Sequence, residues 1–434
     1  MNGFLRYGER LRAIEPARVT GRVRRVVGLV AEIEGLAMPI GGQCEIRPMA
    51  AAAIRAEVVG FREDATIVMP LGELEGVRHG DEVLAVDSTQ LVPAGDALLG
   101  RVISSLGEPI DGRPLPAAGT TPLHRKPPDP LSRPRIREAL ETGVRAIDGL
   151  NTIGRGQRIG LFSGSGVGKS VLMGMIARHT AADVVVVALV GERGREVREF
   201  VERDLGDGLS RAVVVVETAD RPALLRARAA FTATAIAEEF RGRGKNVLLL
   251  VDSLTRMAAA QREIGLSAGE PPATKGYPPS TFAMMPRLLE RAGRAPSGSI
   301  TGVYTVLVEG DDANEPVADA ARSVLDGHLW LSRAMATRGL YPAIDPLGSV
   351  SRLMNDLVAP EHLSLATLAK SLLAVHREAA DLINVGAYKA GSNPEIDRAI
   401  RLRPRIEEAL RQGTGERAGL DGTLGLLKEA LHGD

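Results

Sequence analysis

The order of apolar and polar positions divides the chain into three stretches of different rhythm. Between about residues 18 and 92, the short apolar runs VVGLV, EVVGF, TIVMPL and EVLAV are broken by Gly41-Gly42, Glu63-Asp64 and Gly80-Asp81. Closely spaced short strands with such turn residues between them predict a small β-barrel or sandwich. From 157 to about 335 the runs lengthen and lose alternation, as QRIGLFS, DVVVVALV, AVVVVET, NVLLLVD, TGVYTVLV and GHLWLS. Continuous Val/Leu runs mark strands buried on both faces. Helix-like stretches at 170–180 and 222–241 lie among them, so the expectation is an α/β unit with a mainly parallel sheet. The tail is helical: Leu365, Leu368, Leu372, Val375, Ala379 and Leu382 recur at steps of three and four, a stripe on one face. Asn393-Pro394 predicts a capped start to a further helix. Residues 114–134 hold seven prolines (114, 116, 122, 127, 128, 130, 134), which on composition alone read as an extended interdomain linker.

Composition narrows the class. With 434 residues, 44% of them apolar and 25% charged, the chain is an ordinary globular protein of about three domains. Lys+Arg 54 against Asp+Glu 54 leaves no net charge, which argues against a whole-chain grip on nucleic acid or membrane. Aromatic residues at 3% are too few for a stacking platform for single-stranded nucleic acid. A single cysteine, Cys44, excludes an internal disulfide framework and reads as a small packed residue. Residues 1–25 carry seven Arg and two Glu, interleaved with Phe4, Leu5, Leu11 and Ile14. That is either a solvated arm or a basic amphipathic segment for anionic lipid or an acidic partner. The start lacks the apolar run of a secretory signal, and no run of ~18 apolar residues occurs, so the expected compartment is the cytoplasm.

The strongest chemical motif is Gly164-Ser165-Gly166-Val167-Gly168-Lys169-Ser170, after the strand QRIGLF and before VLMGMIARH. A phosphate-binding loop needs glycines so that successive N–H groups turn inward on the anion. Its Lys reaches the β- and γ-phosphates, and its hydroxyl takes Mg2+. The strict pattern starts with Gly where this chain has Ser163. The run NVLLLVD ends in Asp252, 83 residues after Lys169, where a strand-end acid would hold Mg2+ through water. The strand DVVVVALV leads into Gly191-Glu192-Arg193, where Glu192 would polarise an attacking water and Arg193 would neutralise phosphate charge; a solvated loop of mixed charges is the alternative. The turn-rich segment from Tyr341 to Arg352 offers a ring that would stack on a base or merely pack, and an arginine that nothing local distinguishes.

Taken together, GSGVGKS, VGERGREVREF, NVLLLVDSLTR, GYPPSTFAMMPRLLERAG, VEGDDANEPVADAARSVLDGH and YPAIDPLGSVSR resemble, in order, the ring ATPases related to F-type rotary catalytic subunits. The closest resemblance is to the ATPase of bacterial type III protein export. RVVGLVAEIEG and DLINVGAYKAGSNPEIDRAI resemble its flagellum-specific branch. The likeness runs from about 18 to 410. It implies an N-terminal β-barrel domain at 1–92, a RecA-like P-loop ATPase domain at 93–356 and a C-terminal helical domain at 357–434. It also overrules the linker reading, since the matching stretch of relatives lies along the ATPase core. It implies ATP and Mg2+ as cofactors, with Ser163, Gly164, Ser165, Gly166, Val167, Gly168, Lys169, Ser170, Val171 and Tyr341 on the nucleotide. Ser170 and Asp252 would serve the metal, and Glu192, Arg193, Lys169 and Arg352 catalysis, Arg352 reaching into the neighbouring subunit's site. Export relatives usually carry Ala where Ser163 stands, and a more polar stretch where this chain has His376–Asp381.

The function so implied is Mg2+-dependent ATP hydrolysis by a homohexameric ring that assists flagellar export. Expected partners are regulatory and stalk-like export proteins, export substrates and chaperones, and a peripheral contact with the membrane export gate, with no nucleic acid. A virulence-type secretion ATPase, a rotary ATP synthase subunit and an RNA-translocating ring are the competing readings. The RNA ring lacks aromatic residues for stacking, and a non-catalytic synthase subunit would lack Glu192.

Overall fold

The computed structural model describes residues 19–87, 90–116, 119–308 and 315–432. Six strands, β1 (Thr20–Val27), β2 (Val30–Glu34), β3 (Gln43–Arg47), β4 (Ile54–Arg62), β5 (Ala65–Pro70) and β6 (Glu82–Asp87), close into a barrel in the order β1-β2-β5-β4-β3-β6. The barrel alternative is the one realised. Its interior is apolar, with Val23, Ile33, Ile46, Val58, Val68 and Val83 buried. Cys44 lies there too, its thiol pushed up to about 12 by burial. VVGLV, which looks like one strand, is a hairpin turning at Gly28-Leu29, and Arg22, Arg24 and Arg25 belong to β1. The remainder of the basic arm, residues 1–18, lies outside the described residues.

Strands β7 (Leu91–Ala94), β8 (Arg101–Ile103) and β9 (Gly119–Pro122) follow, with β7 and β9 antiparallel partners. The proline-rich stretch is thus strapped onto the core. Leu123 is buried and its carbonyl accepts from Arg291 at 2.9 Å, while Arg133 donates to the carbonyl of Glu290 at 2.7 Å. A small ribbon pairs β10 (Ala139–Leu140) with β11 (Ile153–Gly154), flanking helix α1 (Arg145–Leu150).

The central sheet adds β12 (Arg158–Ser163), β13 (Val184–Glu192), β14 (Ala212–Thr218), β15 (Asn246–Asp252), β16 (Gly293–Arg294), β17 (Ser299–Leu307), β18 (Gly327–Leu331) and β19 (Val350–Ser351). Its order is β19-β18-β12-β17-β15-β13-β14-β8, parallel except for β19 and for β16, which pairs with β17. The helices are α2 (Lys169–His179), α3 (Gly194–Glu199), α4 (Ala223–Gly242), α5 (Leu254–Ala268), α6 (Pro279–Leu289), α7 (Pro316–Val324), α8 (Arg333–Thr337) and α9 (Met354–Leu357). Alternate residues of β13 go to opposite faces. Val185, Val187 and Leu189 pack with α2, whereas Val184, Val186 and Ala188 pack with α4, α5 and α6.

The chain ends in α10 (Pro360–Asn384), α11 (Pro394–Leu410) and α12 (Leu420–His432). Leu365, Leu372, Leu402, Ile406 and Leu427 share one apolar cluster with the α2 face of the sheet, so these helices extend the core. The expected stripe on α10 holds at Leu365, Leu372 and Ala379 and fails at Leu382, which is 52% exposed. Asn393 caps α11 as expected, its side chain accepting from the N–H of Glu395 at 2.9 Å, with Pro394 in the first turn. No helix among the described residues is long and apolar enough to cross a membrane.

Candidate active site

Strands β12, β13 and β15 run parallel, so Ser163, Glu192 and Asp252 leave the sheet at one edge, where ligands bind in open α/β sheets. The loop from β12 to α2 turns on Gly166 (φ +76°) and Gly168 (φ +93°), left-handed conformations that favour glycine. Gly168 caps α2 without any side-chain acceptor, which leaves the first-turn N–H groups available to an anion. Val167 is buried beneath the loop, Ser165 and Ser170 are exposed, and Arg333 of α8 donates to the carbonyl of Ser165 at 3.1 Å. Ser163 is fully buried, and its hydroxyl has no partner among the described residues.

At the loop's mouth Lys169 meets two carboxylates. Its ammonium is hydrogen-bonded to Asp252 Oδ1 and stands 3.8 Å from Glu192 Oε1. Asp252 also accepts from Thr305 Oγ1 at 2.7 Å. Glu192 is placed by a bulge at Gly191 (φ +66°), where β13 slips its register against β14. Arg256 of α5 braces that bulge, donating to the Gly191 carbonyl and lying 3.2 Å from Glu192 Oε2. Burial, reinforced by the neighbouring Asp252 charge and opposed by Lys169, pushes the Glu192 carboxyl up to about 7. Its Oε1 is buried and accepts no hydrogen bond from the described residues. A carboxylate whose proton affinity is raised toward neutrality can take or orient a water proton.

Tyr341 stands against the loop: a Cβ added to Gly168 would meet its ring at 3.6 Å. Beneath it opens a cavity of about 330 Å³, lined on one side by Gly166, Val171 and Met175 and on the other by Tyr341, Gln412 and Thr414. An apolar slot beside a phosphate loop suits a planar base. Arg193 is 78% exposed and pairs with Glu196 at 3.2 Å, outside the Lys169–Asp252–Glu192 group. Arg352 is far from the loop. It follows β19, whose Ser351 pairs with Gly327 at the start of β18, whereas Ser163 pairs with Leu331 at its end. The four residue steps from Gly327 to Leu331 separate them by about 13 Å along the strand. Sequence reasoning missed Arg256, although it lies one helical turn after Asp252, and missed Gln412 and Thr414, which no local pattern marks.

Known proteins match this chain over most of its length. The ATP synthase alpha/beta family, nucleotide-binding domain, matches residues 143–351, and the T3SS EscN ATPase C-terminal domain matches residues 358–429. The flagellum-specific ATP synthase of Bacillus subtilis (strain 168) is 53% identical over 412 residues, covering 94% of this chain and 94% of that protein. The type 3 secretion system ATPase of Xanthomonas euvesicatoria is 49% identical over 420 residues, covering 96% and 95% respectively. Among solved structures, the assembled ATPase EscN of the enteropathogenic E. coli type III secretion system superposes with a TM-score of 0.90 at 44% identity, covering 95% of this chain and all of that one. EscN in complex with its central stalk EscO gives a TM-score of 0.87 over the same share. On sequence, fold and the build of its phosphate loop, the chain belongs to the family of flagellum-specific and type III secretion ATPases.

Proposed function

We propose that this chain is a Mg2+-dependent ATP hydrolase that acts as a homohexameric ring in the export of flagellar proteins. The observation that carries the reading is the buried Glu192 carboxylate beside Lys169 and Asp252 at the mouth of the phosphate loop. The loop N–H groups and Lys169 would bind the phosphates, Lys169 exchanging its carboxylate partners for phosphate oxygens. Glu192 would orient the attacking water and accept its proton, with Arg256 holding the carboxylate in place. The exposed Ser170 hydroxyl and the buried Asp252 carboxylate suit a hard cation, and Mg2+ held there would neutralise charge on the phosphate oxygens. Tyr341 and Val171 would line the base, and Arg193 would meet phosphate charge from the rim.

Arg352 supports the ring. Its distance along β18 from its own phosphate loop suits a residue supplied to the neighbouring subunit, where such a cation contributes ~10³–10⁵ in rate. We read the chain as a barrel at 1–92, an ATPase core at 93–356 and a helical region at 357–434, located at the cytoplasmic face of the inner membrane. A stalk-like partner, regulatory proteins, chaperones and substrates, and a membrane export gate complete the assembly. The His376–Asp381 stretch, where export relatives are usually more polar, is partly engaged within the chain, with Arg377 paired to Asp345 at 2.6 Å and His376 at 3.0 Å from Arg403. Flagellin in the culture supernatant of a deletion strain tests the reading. Wild type restores secretion and Glu192→Gln does not; secretion and swimming that survive the deletion would refute the flagellar role and favour virulence-type export.

A further inference from the structure

Segment 411–418, between α11 and α12, closes one wall of the cavity beside the phosphate loop, and one side chain fastens it. Gln412 is 4% exposed. Its Oε1 accepts from the N–H of Arg145 at 2.9 Å, and its Nε2 donates to the carbonyls of Gly143 and Glu416, both at 2.7 Å. Its own N–H donates to the carbonyl of Tyr341 at 3.0 Å. Two further bonds pin the same segment to the core: Arg145 Nη1 to the Arg411 carbonyl at 2.5 Å, and Arg178 of α2 to the Thr414 carbonyl at 2.6 Å.

Both amide hydrogens and the amide oxygen of Gln412 are therefore committed within the protein. It has no free donor with which to read a base, and it acts through what it holds. It joins three things far apart in sequence: the turn at 143–145, the Tyr341 backbone and the loop after α11. We propose that Gln412 is a positioning residue of the nucleotide site. It fixes Tyr341 and the 411–418 wall so that the C-terminal helices set the affinity for the base half of the nucleotide and not for its phosphate half. This rests on the reading that the base lies against Tyr341. Truncating the side chain leaves the half-buried Arg145 N–H without its acceptor and frees the wall, so the cost of ordering it falls on the ligand.

The test compares a nucleotide with a ligand that has no base. In Gln412→Ala, the KM for ATP and the inhibition constant of ADP are expected to rise about tenfold, with kcat and the inhibition constant of inorganic tripolyphosphate little changed. A KM within twofold of wild type, or an equal loss for ADP and tripolyphosphate, overturns the proposal. Tyr341→Ala separates the two levels of the argument. If it leaves ADP binding intact, the base reading falls and the role of Gln412 with it; if it weakens ADP binding while Gln412→Ala does not, only the role of Gln412 falls. Hydrogen exchange on the wild-type chain tests the coupling of the wall to the base even where a variant does not fold. ADP should slow exchange in 341–344 and 411–418 and tripolyphosphate should not; equal protection by both, or by neither, contradicts the proposal.

Discussion

The acid limb of the rate profile should belong to Glu192, and removing one neighbour should move it. With a carboxyl near 7 in the free protein, kcat/KM for ATP is expected to rise about tenfold from pH 6 to pH 8, since that parameter reports ionisations of the free enzyme. Arg256 lies 3.2 Å from the buried Glu192 Oε2 with its own side chain 30% exposed, so a water-like dielectric gives the least that the pair is worth. At that distance the attraction is about 1.3 kcal/mol, or about one pH unit. Arg256→Gln should therefore carry the limb from near pH 7 to near pH 8. The ionised fraction at pH 7 drops from about a half to about a tenth, so activity there falls about fivefold and returns by pH 9. The assay is phosphate release from pH 6 to 9 with magnesium in excess, so that the protonation of the nucleotide does not intrude. A wild-type profile flat across this range refutes the assignment. A loss in Arg256→Gln that is uniform in pH refutes the electrostatic role given to Arg256.

Two further consequences concern stability. The folded state holds the Glu192 proton more tightly than the unfolded chain does, so it binds more protons between about pH 4.5 and 7, and stability falls as pH rises through that window. Glu192→Gln removes this term. It should be more stable than wild type at pH 8 by at most about 3 kcal/mol, the difference closing by pH 4.5 in urea titrations. Arg291 makes a bidentate pair with Glu238 at 2.6 and 3.0 Å, both side chains 2% exposed, and also holds the carbonyl of Leu123. Arg291→Ala strands the Glu238 charge, with Arg241 at 3.8 Å the one cation left to answer it among the described residues, and should cost about 3 kcal/mol in chemical denaturation.

How much of this was legible in the chain follows from how local each signal is. The phosphate loop, Asp252 and Glu192 each sit at the end of an unbroken apolar run, so strand and edge are read from one window. The proline-rich stretch misleads because composition records the prolines and not the contacts: β9 pairs with β7, Leu123 is buried, and Arg133 bonds across 157 residues. VVGLV looks like a strand because a two-residue hairpin breaks no apolar pattern. Leu382 completes a helical period, yet its helix runs past the core it packs on. Arg256 and Gln412 are the instructive misses. The first looks like any charge on an amphipathic helix, and the second gains its meaning from partners 71, 267 and 269 positions away, which no pattern within its own segment could reveal.

The central claim is that each site is completed by a neighbouring copy, Glu192 on one side of the interface and Arg352 on the other. Glu192→Gln and Arg352→Ala, each inactive alone while still binding ADP and assembling, should regain activity when mixed. Half of the subunits then keep the carboxylate and half keep the arginine, so random assembly restores about a quarter of the interfaces and about a quarter of wild-type turnover. Mixed rings that form and remain as inactive as their parents would contradict the shared site.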